Sequence, residues 1–91
     1  MDIVDLRQQI DDLDAQIVAC FCKRMEIASA IADYKRENGL PIYVPEREAA
    51  ILQKISQQAD PEFSEDVKRL YRNIFEISRD HQHNRNAEVV K

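Results

Sequence analysis

An all-α fold of one long and two short helices is what this sequence predicts. The grounds are an apolar seam of helical period near the start, two further segments of the same period, and a scarcity of turn residues. Among 91 residues there are one Gly, three Pro and no Thr or Trp, too few turn formers for a sandwich or barrel of short strands. The length suits one domain, 1–91, and not two. With 44% hydrophobic and 33% charged residues, the chain has apolar mass for a core and polar mass for a wet surface, which excludes disorder throughout.

The first helix is predicted over about 3 to 37. Ile3, Leu6, Ile10, Leu13, Ile17, Cys20, Arg24, Ile27, Ile31 and Tyr34 recur at alternating spacings of three and four, and all but Arg24 are apolar. Asp2 and Asp5 suit the positive end of the helix dipole, and Gly39 can take a left-handed position just past the last turn. At 1.5 Å per residue the helix is roughly 50 Å long, more than the diameter of a compact chain of this size. Gly39 to Val44 then makes a short connection, ended by Pro45 at a first helical position with Glu46 and Glu48 in the first turn. Ala49, Leu52, Ile55 and Ala59 form the apolar face of the second helix. Asp60-Pro61 breaks it and can start the third, with Ser64 as a rival cap. Val67, Leu70, Ile74 and Ile77 form the apolar stripe of the third helix, with Tyr71, Ser78 and Gln82 close to the same face. The polar tail, about 84–91, is expected to fray.

Helices of about 35, 15 and 20 residues do not close into a bundle alone, because the first is as long as the other two end to end. The expectation is an intertwined homodimer in which two long helices pack along each other and each chain's short helices cover both.

Thirteen Lys+Arg against 17 Asp+Glu give a formal charge of −4, with the signs alternating along the chain. Nucleic acid binding, which wants a basic stripe, is not expected. No stretch approaches the ~20 apolar residues of a membrane span, and the acidic start lacks the basic opening of a secretory signal, so a cytoplasmic location is expected. Cys20 and Cys22 point to opposite sides of the predicted helix and cannot bridge; they read as one buried and one half-exposed thiol. His81 and His83 diverge in the same way, and no metal site is expected. There is no Gly-rich phosphate loop, no Cys/His cluster and no nucleophile with an evident base. Covalent, hydrolytic and cofactor-dependent chemistry therefore lack residues.

What remains is a set of cations and neutral donors. Arg24 sits within the seam, where a guanidinium must be met or solvated. An ion pair with Glu48 or Glu76, a side chain that snorkels to water, and an anionic ligand are all open readings. Lys35, eleven residues on, projects within about 20° of the same direction with its stem ~16 Å further along the axis, so the two long side chains can converge on a small molecule. Arg7, seventeen residues before Arg24, lies about 100° round the helix and suits a partner's pocket in an antiparallel helix pair. Taken alone, Lys35 and Arg7 also read as ordinary solvated charges. Ser78 and Gln82, four apart, either line the same cavity or are satisfied polar groups on a helix face. Cations with neutral donors bind a dianion and stabilise charge as it develops.

The segments LRQQIDDLDAQIV, KRM around Arg24, YK at Lys35, PEREAAIL from Pro45 and FEISRDHQ from Phe75 follow in this order at these separations. Together they resemble the helical class of chorismate mutases, over about residues 5 to 83. That resemblance implies an intertwined all-helical homodimer with two sites and no cofactor. It implies that Arg24 and the partner's Arg7 bind the two carboxylates of chorismate, and that Lys35 and Gln82 contact the ether oxygen of the bond that breaks. Glu48 would accept from the ring hydroxyl, Arg47 and Ser78 would support the carboxylate end, and Val44, where many relatives have Asp, would contribute a backbone contact. The implied reaction rearranges chorismate to prephenate on the route to phenylalanine and tyrosine. Two rivals stand beside it. Isochorismate pyruvate-lyase resembles the same family in fold and cations, though Glu48 directly after Arg47 favours the mutase. A non-catalytic helical dimerisation module would use Arg24 only as an interchain ion pair.

Overall fold

The computed structural model describes residues 2–90. It contains α1 (Ile3–Glu37), α2 (Pro45–Gln58), one 3₁₀ turn (Pro61–Phe63) and α3 (Ser64–Val90). Each boundary has a local cause. The Asp2 side chain accepts from the Asp5 backbone N–H at 3.0 Å and caps α1. At the other end Gly39 has φ of 63°, and the Gly39 and Leu40 N–H groups donate to the carbonyls of Arg36 and Lys35. This paired closure is the Schellman ending, which only a residue at ease with positive φ makes without strain. Pro45 opens α2. Between α2 and α3 both expected signals are used: Pro61 starts the 3₁₀ turn and Ser64 the helix proper. Ser64 does not act as a cap; its hydroxyl donates to the Ser56 carbonyl and ties the two helices together.

Hydrogen bonds show the packing senses. Gln82 reaches the Ala28 carbonyl and Asn86 the Ala32 carbonyl, so the C-terminal half of α1 and the end of α3 run in the same direction. Glu48 meets Arg79 and Ser56 meets Ser64, so α2 runs back against α3. The molecule measures 55 × 26 × 14 Å. Its radius of gyration is 16.4 Å, against about 12 Å for a compact chain of this length.

The core within one chain is small. Among the described residues its buried apolar side chains are Ala28, Ala32 and Phe75, beside the buried polar Ser78 and Gln82. The two alanines leave α1 narrow enough for α3 to come close. The strong apolar seam of α1 lies on the neighbouring face and stays open: Ile10, Leu13, Ile17 and Ile27 are all more than half exposed. Leu70 and Ile77, placed on the inner stripe of the third helix by their spacing, are open as well, while Phe75, Ser78 and Gln82 take the inner face. Cys20, read as a buried thiol, is exposed for the same reason. Ala49, assigned to the inner face of α2, is also exposed.

The expectation of a frayed tail over about 84–91 is corrected for residues 84–90, where α3 continues to Val90; Lys91 lies outside the described residues. The cause is a set of contacts to the end of α1. The Arg85 guanidinium donates to both Asp33 oxygens at 2.8 and 3.0 Å, and Arg36 donates to Asp33 and to the Asn86 side chain, each at 3.1 Å. Among the described residues, no helix is long and apolar enough to cross a membrane.

Candidate active site

A cleft of about 390 Å³ opens where α1, the connection after it, α2 and α3 meet. Its walls include Arg24 and Lys35 from α1, Val44 from the connection, Arg47 and Glu48 from α2, and Ser78 and Gln82 from α3. Seven of the eight residues singled out from the sequence thus share one cavity. The eighth, Arg7, does not line it. Seventeen residues of helix separate Arg7 from Arg24, about 26 Å.

Local structure aims each group. Of the readings open for Arg24, the ion pair is not what the structure shows: Glu48 is taken by another residue, and no carboxylate among the described residues pairs with Arg24. Its guanidinium instead lies 6.0 Å from the ring centre of Tyr71 and 5.9 Å from that of Phe75, rings that meet edge to face. These separations are at the outer limit of a cation–π contact, so the rings orient Arg24 and leave its N–H donors unspent. Lys35 donates to the Ile42 carbonyl at 2.8 Å, which ties the connection to α1 and uses one of three ammonium donors. Gln82, only 7% exposed, donates from Nε2 to the Ala28 carbonyl at 3.2 Å. That bond fixes the amide with its nitrogen toward α1 and leaves one further N–H on the same nitrogen.

Next to Gln82, His81 Nε2 lies 2.6 Å from the Ser29 hydroxyl, which itself donates to the Met25 carbonyl. This contact makes His81 a satisfied histidine that braces α3 on α1.

One cleft residue, Arg79, and the ring that backs it, Tyr43, were missed in the sequence. Arg79 donates from Nη1 to both oxygens of Glu48, at 2.5 and 2.7 Å, and its guanidinium lies 4.7 Å from the ring centre of Tyr43. The hydrogen bond that Arg79 donates to the Glu48 carboxylate raises the Arg79 pKa above its ordinary value. Helical spacing could have found it, since Phe75, Arg79 and Gln82 lie four and three apart. Tyr43 carried no periodic signal, because it sits in the connection.

The sum is a concentration of positive charge in an acidic protein. Arg24, Lys35 and Arg47 face the cleft with no carboxylate partner among the described residues, while Glu48 is matched by Arg79. Against a formal charge of −4 for the whole chain, this asymmetry favours a small ligand with more than one negative charge.

Comparison with known proteins agrees in family and in extent. The chain is 46% identical over 56 residues to a protein named T-protein from Haemophilus influenzae, covering 62% of this chain and 15% of that one. It is 34% identical over 53 residues to a protein named chorismate mutase from Methanocaldococcus jannaschii, covering 58% of this chain and 54% of the other. It is 33% identical over 61 residues to an intracellular chorismate mutase from Mycolicibacterium smegmatis, covering 67% and 59% respectively. The chain thus spans less than two thirds of the length of these relatives. No solved structure matches it significantly. The family model described as chorismate mutase type II matches residues 6–83, a span that holds every wall of the cleft, and the chain belongs to that family.

Proposed function

We propose that this protein is a chorismate mutase, an isomerase that converts chorismate to prephenate in aromatic amino acid biosynthesis. The observation that carries the reading is the meeting of the cations Arg24, Lys35 and Arg47 with the neutral donor Gln82 in one cleft. The rearrangement is unimolecular: the ether C–O bond of the enolpyruvyl side chain breaks as a C–C bond forms to the ring. It needs no proton transfer and no cofactor.

Such a reaction asks for two things. The flexible side chain must be held over the ring, and guanidinium groups gripping the two carboxylates do this by orientation. The negative charge that grows on the ether oxygen must be met by donors already in place, the role assigned to Lys35 and Gln82. An acceleration of ~10⁶ corresponds to about 8 kcal/mol of barrier lowering, within reach of these two effects together. Glu48 accepts from the ring hydroxyl, Arg47 and Ser78 support the carboxylate end, and Val44 contributes its backbone.

The acting unit in this reading is a homodimer. An apolar groove of about 490 Å³, walled by Leu13, Ile17, Cys20, Leu70, Ile74 and Ile77, runs beside the cleft and reaches Arg24. Eight apolar seam residues of α1 are each between 42% and 62% exposed. Covering half an Ile or Leu side chain contributes roughly 1 kcal/mol, so two chains together reach the order of the 4–15 kcal/mol that association costs. A second α1 packed antiparallel along the seam brings the partner's Arg7 toward Arg24.

Incubation of pure protein with chorismate and, separately, with isochorismate tests the assignment. Prephenate from chorismate is expected. Pyruvate with salicylate from isochorismate would indicate the lyase instead, and no turnover of either would leave a dimerisation module.

A further inference from the structure

A carboxylate in a cleft built for a dianion repels its ligand unless its charge is met where it stands. Glu48 is that carboxylate, with a side chain 22% exposed. One nitrogen of Arg79 donates to both of its oxygens, at 2.5 and 2.7 Å, and so approaches along the bisector of the carboxylate. This arrangement does three things. It cancels the charge of Glu48, it holds the side chain in one rotamer, and it leaves a lone pair on the far side of each oxygen for another donor. Arg79 is held in turn: its guanidinium carbon lies over the Tyr43 ring, 4.7 Å from the ring centre, and its own side chain is 31% exposed. A guanidinium stays cationic across the ordinary pH range, so the pair keeps its charge compensation there.

Resting on the mutase reading of the cleft, we propose that Arg79 is a positioning residue that sets specificity for the ligand's ring hydroxyl, by presenting Glu48 as an oriented, charge-compensated acceptor. A strut that merely joined α3 to α2 through this ion pair would act on stability and leave KM and the preference for the ring hydroxyl unmoved. A positioning residue acts only while an acceptor is there to position.

The test is a double-mutant cycle in the full chain with Arg79→Met, Glu48→Met and the double variant, using chorismate and an analogue that lacks the ring hydroxyl. Arg79→Met is expected to raise KM for chorismate about 10-fold with kcat changed less than about 2-fold, the size of one hydrogen bond to a charged group. Glu48→Met should do at least as much, and the double variant no more than Glu48→Met alone. In each, the preference for chorismate over the analogue should shrink about 10-fold. An unchanged KM, a loss confined to kcat, or an Arg79→Met effect that persists in full in the Glu48→Met background would overturn the proposal. Should Arg79→Met fail to fold, Arg79→Lys keeps the cation and runs the same cycle, with a smaller rise in KM that again disappears without Glu48. If the unmodified protein turns over no chorismate, the mutase reading itself fails; turnover with additive single effects removes only the role of Arg79.

Discussion

Arg24 interrupts an otherwise apolar seam, and its surroundings explain why it can. Two aromatic rings fix its direction while its N–H groups remain available to a ligand. Arg24→Ala should therefore leave folding close to intact and lower kcat/KM by on the order of 10²–10³, as for removal of a preorganised charge donor, measured by loss of chorismate absorbance. Gln82 makes a sharper case, because its amide donates at every pH. The unmodified protein should hold its activity between about pH 6 and 8, without an acidic optimum. Gln82→Glu replaces that donor with a carboxyl that donates only when protonated, so its rate should fall as pH rises, and a flat profile for the variant would contradict the donor role.

At the scale of elements, the cleft depends on how α1 and α3 are pinned together beyond it. Gln82 and Asn86 place side-chain N–H groups on the Ala28 and Ala32 carbonyls, one turn apart on each helix. Arg85 and Arg36 close the end of this contact on Asp33 and hold its carboxyl down to about 2, the hydrogen bond from Arg85 being the largest cause. A folded-state pKa below the unfolded value stabilises above the unfolded value, and the gain is lost as pH falls through the folded one. The stability difference between the unmodified protein and Asp33→Asn should be constant above about pH 5 and shrink toward pH 2, read as thermal midpoints across that range. Asn86→Ala removes two bonds at once and should cost about 1–2 kcal/mol, with faster amide exchange over residues 84–90 as the measurement.

For the whole molecule, the open seam is the dominant fact. A 35-residue helix extends along a molecule 55 Å long while its covered apolar contacts are two alanines. Sedimentation equilibrium should show a dimer that unfolds as it dissociates, and a stable folded monomer at high dilution would contradict the intertwined arrangement. The shared site has its own signature. Arg7→Ala and Arg24→Ala, each strongly impaired alone, should regain activity when refolded together, because one site in each hybrid dimer carries both arginines. Verified hybrids without activity would show that Arg7 serves no partner.

Helix boundaries were legible in the chain because they rest on local chemistry: acidic Asp2 at the positive end of α1, Gly39 at positive φ, Pro45 in a first turn. The cleft residues on α1 were legible for a related reason, since a cation inside an apolar seam announces itself. Tertiary structure decided the rest. Periodicity marks an apolar stripe without saying what covers it, and the chain turns its alanine face, not its isoleucine seam, toward α3. Arg79 and Glu48 stand 31 residues apart, and the end of α3 is held by Asp33 from half a chain away. Such pairings follow from where helices cross in space, which no local pattern encodes.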